Sequence, residues 1–214
     1  MEKDALLAFI KYGERPIEKS WIIGMMIANI IALIIGTFLS PNILLHGIAN
    51  GIISLILLAF CIMSINKRAL LKSELNLLYG IYTSFLSISL GYVSYCLLVK
   101  AGFPALLTLL ILFSLIGLVG IISYCYIKSR INKGKYINQV EKTKAWMLAP
   151  ASIIVVCTLM YRTYSEYLTL THHYIIFGIL IGGIAVLMPY NLFFIMKYFC
   201  YQKIKKIEST NKVN

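Results

Sequence analysis

Acidic residues are scarce in this chain. Eight Asp and Glu stand against 20 Lys and Arg in 214 residues, and charged residues make up 13% of the whole, about half the share of an ordinary soluble domain. No charged residue or histidine falls near the middle of a long apolar run. That argues against a proton- or sodium-coupled pump, whose pathway needs ionisable groups at bilayer depth. It argues equally against an intramembrane metalloprotease, which needs His and carboxylate ligands, and against an aspartyl protease with two membrane Asp residues. A Ser or Cys nucleophile would find no deep His as its base. The cysteines, Cys61, Cys96, Cys125, Cys157 and Cys200, show no CxxC spacing, so each reads as a small apolar residue. A GxxxxGK[ST] phosphate loop is also missing, and Gly134-Lys135 alone does not make one. No catalytic residue and no cofactor is therefore expected.

What is abundant is apolar sequence. Hydrophobic residues make up 60% of the chain, and the mean hydropathy is +0.83. A hydrocarbon core about 30 Å thick needs roughly 20 apolar residues per helix. Six such runs cover approximately residues 21–39, 43–65, 75–99, 103–127, 145–161 and 174–199. The expected fold class is all-α: a polytopic integral membrane protein with six transmembrane helices in a single domain spanning 1–214. Residues 1–19 precede the first span, and 200–214 form a basic tail. Leu6, Phe9, Ile10 and Ile17 recur at helical spacing, with Lys3, Lys11, Glu14 and Lys19 elsewhere. This predicts a short amphipathic helix at the cytoplasmic interface, broken by Pro16. Glu2, Asp4 and Glu14 precede the first run and no small-residue cleavage site follows it, so the first span is expected to stay as an anchor.

Charge then orients the spans. Eighteen of the 20 Lys and Arg lie before the first run, between the second and third, between the fourth and fifth, and at the end of the sixth (Lys197) or after it; the remaining loops hold only Lys100 and Arg162. Cations are enriched in cytoplasmic loops, so an N-in, C-in arrangement in a plasma membrane satisfies every loop at once. The net charge of +12 is then a topological signal, with anionic inner-leaflet lipid rather than nucleic acid as its counter-charge. The longest inner loop, IKSRINKGKYINQVEKTKAW, would lie on that lipid or dock a cytoplasmic partner. Trp21, Tyr124, Tyr126, Trp146, Tyr198 and Tyr201 fall at the inner headgroup level, and Tyr161, Tyr164, Tyr167 and Tyr174 at the outer one.

In lipid, helices associate through close backbone approach, so small residues mark contacts. Gly24, Ala28, Ala32 and Gly36 repeat every four residues along the first span. The sixth span carries the GxxxG pair Gly178 and Gly182, with Gly183 beside it. The second has Gly47, Gly51 and Ser54. The third is the most polar: it carries Asn76, Gly80, Ser84, Ser87, Gly91 and Ser94, which after the first step follow the 4-3 spacing of a left-handed helix seam. That face is expected at the centre of the bundle, as a packing seam or, with Tyr79, Thr83 and Tyr95, as the wall of a path. Pro189 is expected to kink the sixth span. Asn191 beside it either satisfies the freed carbonyl or contributes to a substrate site at the break. At the outer surface His46, His172, His173 and Glu166 are the only candidate metal ligands; the plainer reading is solvated interfacial histidines.

Two functional readings follow. The first is a small non-enzymatic bacterial membrane protein acting by contact with lipid, with a protein partner or as a homo-oligomer. Proteins that protect a producer from its own membrane-active toxin have this character. The richness in Ile, Lys, Asn and Tyr suggests an AT-rich, Gram-positive genome. The second rests on a resemblance: six spans, both ends inside and a helix before the first span are similar to export-type ABC permease subunits. The resemblance implies a permease or accessory transporter subunit, with the third-span face and Pro189 as its path. The chain departs from that pattern in two places. Only Arg162 to His173 join the last two spans, where such permeases carry a substantial external element. The largest inner loop is the fourth-to-fifth, not the second-to-third.

Overall fold

The structure, a computed structural model, describes residues 2–12, 18–65, 72–137 and 168–210. Among them the chain is helical, without strands: α1 (Glu2–Lys11), α2 (Lys19–Leu39), α3 (Ile43–Ile65), α4 (Lys72–Lys100), α5 (Ala105–Asn132), α6 (Leu170–Leu187), a 3-10 turn (Met188–Asn191) and α7 (Leu192–Thr210). Five stretches are long and apolar enough to cross a membrane: α2, α3, α4, α5 and the run Leu170–Ser209 through the turn. The expected fifth span, 145–161, lies outside the described residues, as do Trp146, Tyr161, Tyr164, Glu166 and Tyr167.

Local chemistry sets the helix ends. Between α2 and α3, the Asn42 side chain accepts from the Leu45 N–H at 3.2 Å and caps α3, as an Asx residue at this position does. Gly102 ends α4 at φ +96. Its N–H donates to Val99 O and that of Phe103 to Leu98 O, the paired bonds of a Schellman stop that needs a residue free of Cβ strain. The same stop recurs after α5. Gly134 has φ +61, with Gly134 N–H on Ile131 O and Lys135 N–H on Arg130 O. The α5 helix therefore runs to Asn132, past the apolar run, and Lys128 and Arg130 are helical.

The third span, α4, is the centre. It packs against α2, α5, α6 and α7, and 56% of its spanning window is buried, against 6% for α3. Two apolar clusters surround it. One joins Ile22, Met26 and Leu33 of α2 to Leu57 and Cys61 of α3 and Leu78 and Tyr82 of α4. The other joins Ala32 to Leu86, Val93 and Leu97, with Ile181 of α6 against them. The remaining faces of α3 and α5 expose rows of Leu and Ile, the surface that a hydrocarbon solvent favours. Direction follows from side-chain neighbours. A Cβ on Gly182 would meet Leu112, and one on Gly120 would meet Pro189. So α5 runs parallel to α6 and α7, while α6 is antiparallel to α4.

The N-terminal helix has a protein partner. Leu6 and Phe9 are buried with Ile127, Ile131, Tyr136 and Ile204, so its apolar face lies on the ends of α5 and α7. Lys3 pairs with Glu208 at 3.0 Å, and Lys197 Nζ donates to the Tyr12 carbonyl. These two contacts make α1 antiparallel to α7. Helix α1 thus stands along α7, where its amphipathic pattern alone would equally suit a bilayer surface.

Candidate functional site

The polar residues of α4 are brought together along its buried side. Ser87 Oγ donates to the Ala185 carbonyl at 2.6 Å, and Ser94 Oγ donates to the Gly178 carbonyl at 2.7 Å. The donors are seven residues apart, and so are the acceptors. Two helices meeting every 3.5 residues keep such a register along their whole contact. Gly178 and Gly182 make the approach possible: a Cβ on Gly178 would sit 2.8 Å from Leu98 Cγ, and one on Gly182 would sit 2.7 Å from Ser94 Oγ. Gly183 faces open space.

Ala185 is the residue four before Pro189, so its carbonyl is the one that a helical N–H at 189 would have bound. Ser87 supplies the missing donor from another helix. Asn191, beside the break, was the nearest side chain that could have done so. Asn191 Nδ2 turns to Met188 Sδ at 3.7 Å, and Met188–Asn191 tightens into the 3-10 turn that separates α6 from α7.

Other members of the polar face divide between helices. A Cβ on Gly80 would meet Ile195 of α7, and one on Gly91 would meet Ile116 of α5. Ser84 and Thr83 bond back to carbonyls of their own helix, Gly80 O and Tyr79 O, at 2.8 and 2.9 Å. Along α2, Ala32 and Gly36 are buried and Ala28 is half-buried. A Cβ on Gly36 would overlap the Tyr92 ring, whereas Gly24 has nothing within 4 Å. The stripe is a contact over its last three members only. Gly51 likewise faces open space, and Gly47 touches only Thr37.

Several working residues were not singled out from the sequence. Asn29 is fully buried. Its Nδ2 donates to Met25 O and to Tyr82 O of α4, at 2.8 and 3.0 Å, and its Oδ1 accepts from Ser89 Oγ at 2.9 Å. Asn50 Nδ2 donates to Thr37 Oγ1 at 2.8 Å, joining α3 to α2. Tyr82 Oη donates to Leu57 O of α3 at 2.8 Å. The signal was present: an Asn inside an apolar run needs a partner in lipid. Lys197, 4% exposed, sits 4.9 Å from the centre of the Phe193 ring. Around it Phe9, Tyr12, Tyr136 and Phe193 touch ring to ring at 4.9–6.1 Å.

The histidines lie at the end of the bundle away from the chain termini. His46 Nδ1 shares a 2.7 Å hydrogen bond with Tyr92 Oη, and their rings stack at 5.7 Å. Thr169 Oγ1 caps α6 and meets His172 Nδ1 at 2.6 Å. Among the described residues no three His, Cys, Asp or Glu gather as a metal site; Glu166 is outside them. Chemically, the assembled groups hold helices in register: Asn29, Ser87 and Ser94 each donate to a backbone carbonyl of a neighbouring helix. Comparison of the chain with protein families, with curated proteins and with solved structures finds no match.

Proposed function

We propose that this is a six-crossing bacterial cell-membrane protein, both termini cytoplasmic, that acts by contact with a protein or lipid and carries out no chemistry. Protection of a producing cell from a membrane-active toxin is the role that fits best. Connectivity supports the sixth crossing. Because α5 and α6 run parallel, the end of α5 and the start of α6 lie at opposite ends of the bundle, the placement that a further crossing between them in sequence would give. The clustering of cations at the end bearing α1 and α7 supports the sidedness.

The observation that carries the contact reading is the use of the α4 hydroxyls. Ser87, Ser89 and Ser94 each bind a group on another helix, so the central face is a packed seam. The test is expression of the intact chain in toxin-sensitive cells, paired with pull-down in mild detergent and identification of what is retained. Protection together with capture of a secreted toxin supports the role. A co-purified ATPase with no protection overturns it in favour of a permease subunit. That second reading is favoured by one feature, the 3-10 break at Met188–Asn191, since broken helices line paths in many transporters.

A further inference from the structure

We propose that the end of the bundle bearing the chain termini carries a collar that binds acidic phospholipid headgroups, formed by Tyr124 and Lys128 of α5, Tyr201 and Lys205 of α7, and Trp21 and Lys19 of α2. This rests on the reading of the chain as a membrane protein acting by contact, and it names one class of contact.

Three observations converge. First, the rings are exposed: Trp21 by 48%, Tyr124 by 46% and Tyr201 by 40%. Lys19, Lys128 and Lys205 are exposed as well. On α5 and α7 ring and cation are four residues apart, on the same side of a helix, and Lys128 Nζ lies 5.7 Å from the centre of the Tyr124 ring. Second, the order along each helix is the same. Exposed apolar sequence ends at Ile122 on α5 and at Phe199 on α7, and each lysine follows six residues later, about 9 Å further along the axis. The register of Gly120 against Pro189 and Leu192 sets Lys205 roughly 9 Å beyond Lys128, so the two cations are staggered over a depth close to that of a headgroup layer, roughly 5–8 Å. Third, length forces this end out of the hydrocarbon. The run Leu170–Ser209 has 40 residues, about 60 Å as a helix, twice the thickness of a bilayer core.

The charge of this end is one-sided. Residues 2–12, 124–137 and 193–210 together hold ten Lys and Arg against Glu2, Asp4 and Glu208. Lipid fits better than a nucleic acid or an acidic protein because the cations crown a lipid-facing stripe without interruption. On α5 the exposed side reads Leu118, Ile121, Ile122, Tyr124, Lys128, apolar, then amphipathic, then cationic, the order in which a leaflet changes from tail to phosphate.

The test uses the full chain in phosphatidylcholine vesicles, with spin-labelled phosphatidylglycerol or phosphatidylcholine as probe. The fraction of motionally restricted lipid gives the relative affinity of the two headgroups. The wild type is expected to favour phosphatidylglycerol roughly fivefold, the effect of a cation or so at the surface. The preference should fall toward unity in Lys128→Gln/Lys205→Gln, persist in Lys128→Arg/Lys205→Arg, and persist in Lys100→Gln at the opposite end. About 1 M salt should weaken it in the wild type without any substitution. Equal retention of both lipids by the wild type, or full selectivity in the Gln double variant, overturns the collar. Failure of the chain to incorporate into vesicles would instead refute the membrane reading beneath it.

Discussion

Ser87 and Pro189 are not in contact through their own hydrogen bond, yet they act on the same atom. Pro189 takes away the N–H that would bind the Ala185 carbonyl, and Ser87 Oγ returns a donor to it at 2.6 Å from α4. A helix broken in a buried setting must have its freed carbonyl satisfied by something. Here the remedy is 98 residues away in sequence, and it fastens the central helix to the break.

The pair predicts a double-mutant cycle. Ser87→Ala should cost about 1–2 kcal/mol, the range for an interhelical bond to a buried group in a membrane bundle. In a Pro189→Ala background the helix regains its own N–H, and the same change should cost close to nothing. Unfolding in mixed micelles as a function of the denaturing detergent measures both. Equal costs in the two backgrounds would show that the residues are uncoupled.

The glycines give a graded series. Gly178→Val and Gly182→Val should each force α4 and α6 apart and destabilise by about 1–3 kcal/mol, since Leu98 and Ser94 occupy the space required. Gly183→Ala and Gly24→Ala meet nothing and should be neutral or slightly stabilising. Thermal stability in detergent separates the two groups.

Asn29 makes α2 answerable to α4. Asn29→Leu keeps the volume but removes the donor to the Tyr82 carbonyl and the interhelical acceptor of the Ser89 hydroxyl, which keeps its bond to Phe85 O at 3.1 Å, and should cost about 1 kcal/mol. Asn29→Leu with Ser89→Ala should cost less than the sum of the two single changes, because both removed groups face one another.

The N-terminal helix should open before the rest. Phe9→Ala removes a fully buried ring, and Lys197→Met removes the donor to the Tyr12 carbonyl. Each is expected to raise hydrogen exchange over residues 2–12 by at least about tenfold while amides of α4 keep their protection. Exchange rising equally in α4 would mean that α1 is integral to the bundle and not an attached element.

How much of this was legible differs from residue to residue. The 4-3 spacing from Gly80 to Ser94 already named the face of α4 that would be covered, and the structure puts that helix at the centre. The alternation of Gly178 and Gly182 named a close approach. The stripe on α2 was less informative, since the same spacing includes Gly24, which touches nothing. Asn29 and Asn50 were polar residues in apolar runs, a cue as strong as the serines and not used. Asn191 stands next to the break in sequence, whereas the donor to the Ala185 carbonyl comes from Ser87 on another helix.

The sequence by itself determined that the described apolar runs are helical and roughly where they lie, because that depends on short-range matters: twenty apolar residues in succession, a glycine at a left-handed stop, a cap side chain three residues from its amide. Only the tertiary structure decided which helix meets which. In lipid the apolar faces of α3 and α6 are chemically alike, so no contrast in hydrophobicity selects a neighbour. Selection falls to shape and to single hydrogen bonds, such as Ser94 on Gly178 or Lys197 on Tyr12. Those are properties of two surfaces at once, and no segment read alone contains them.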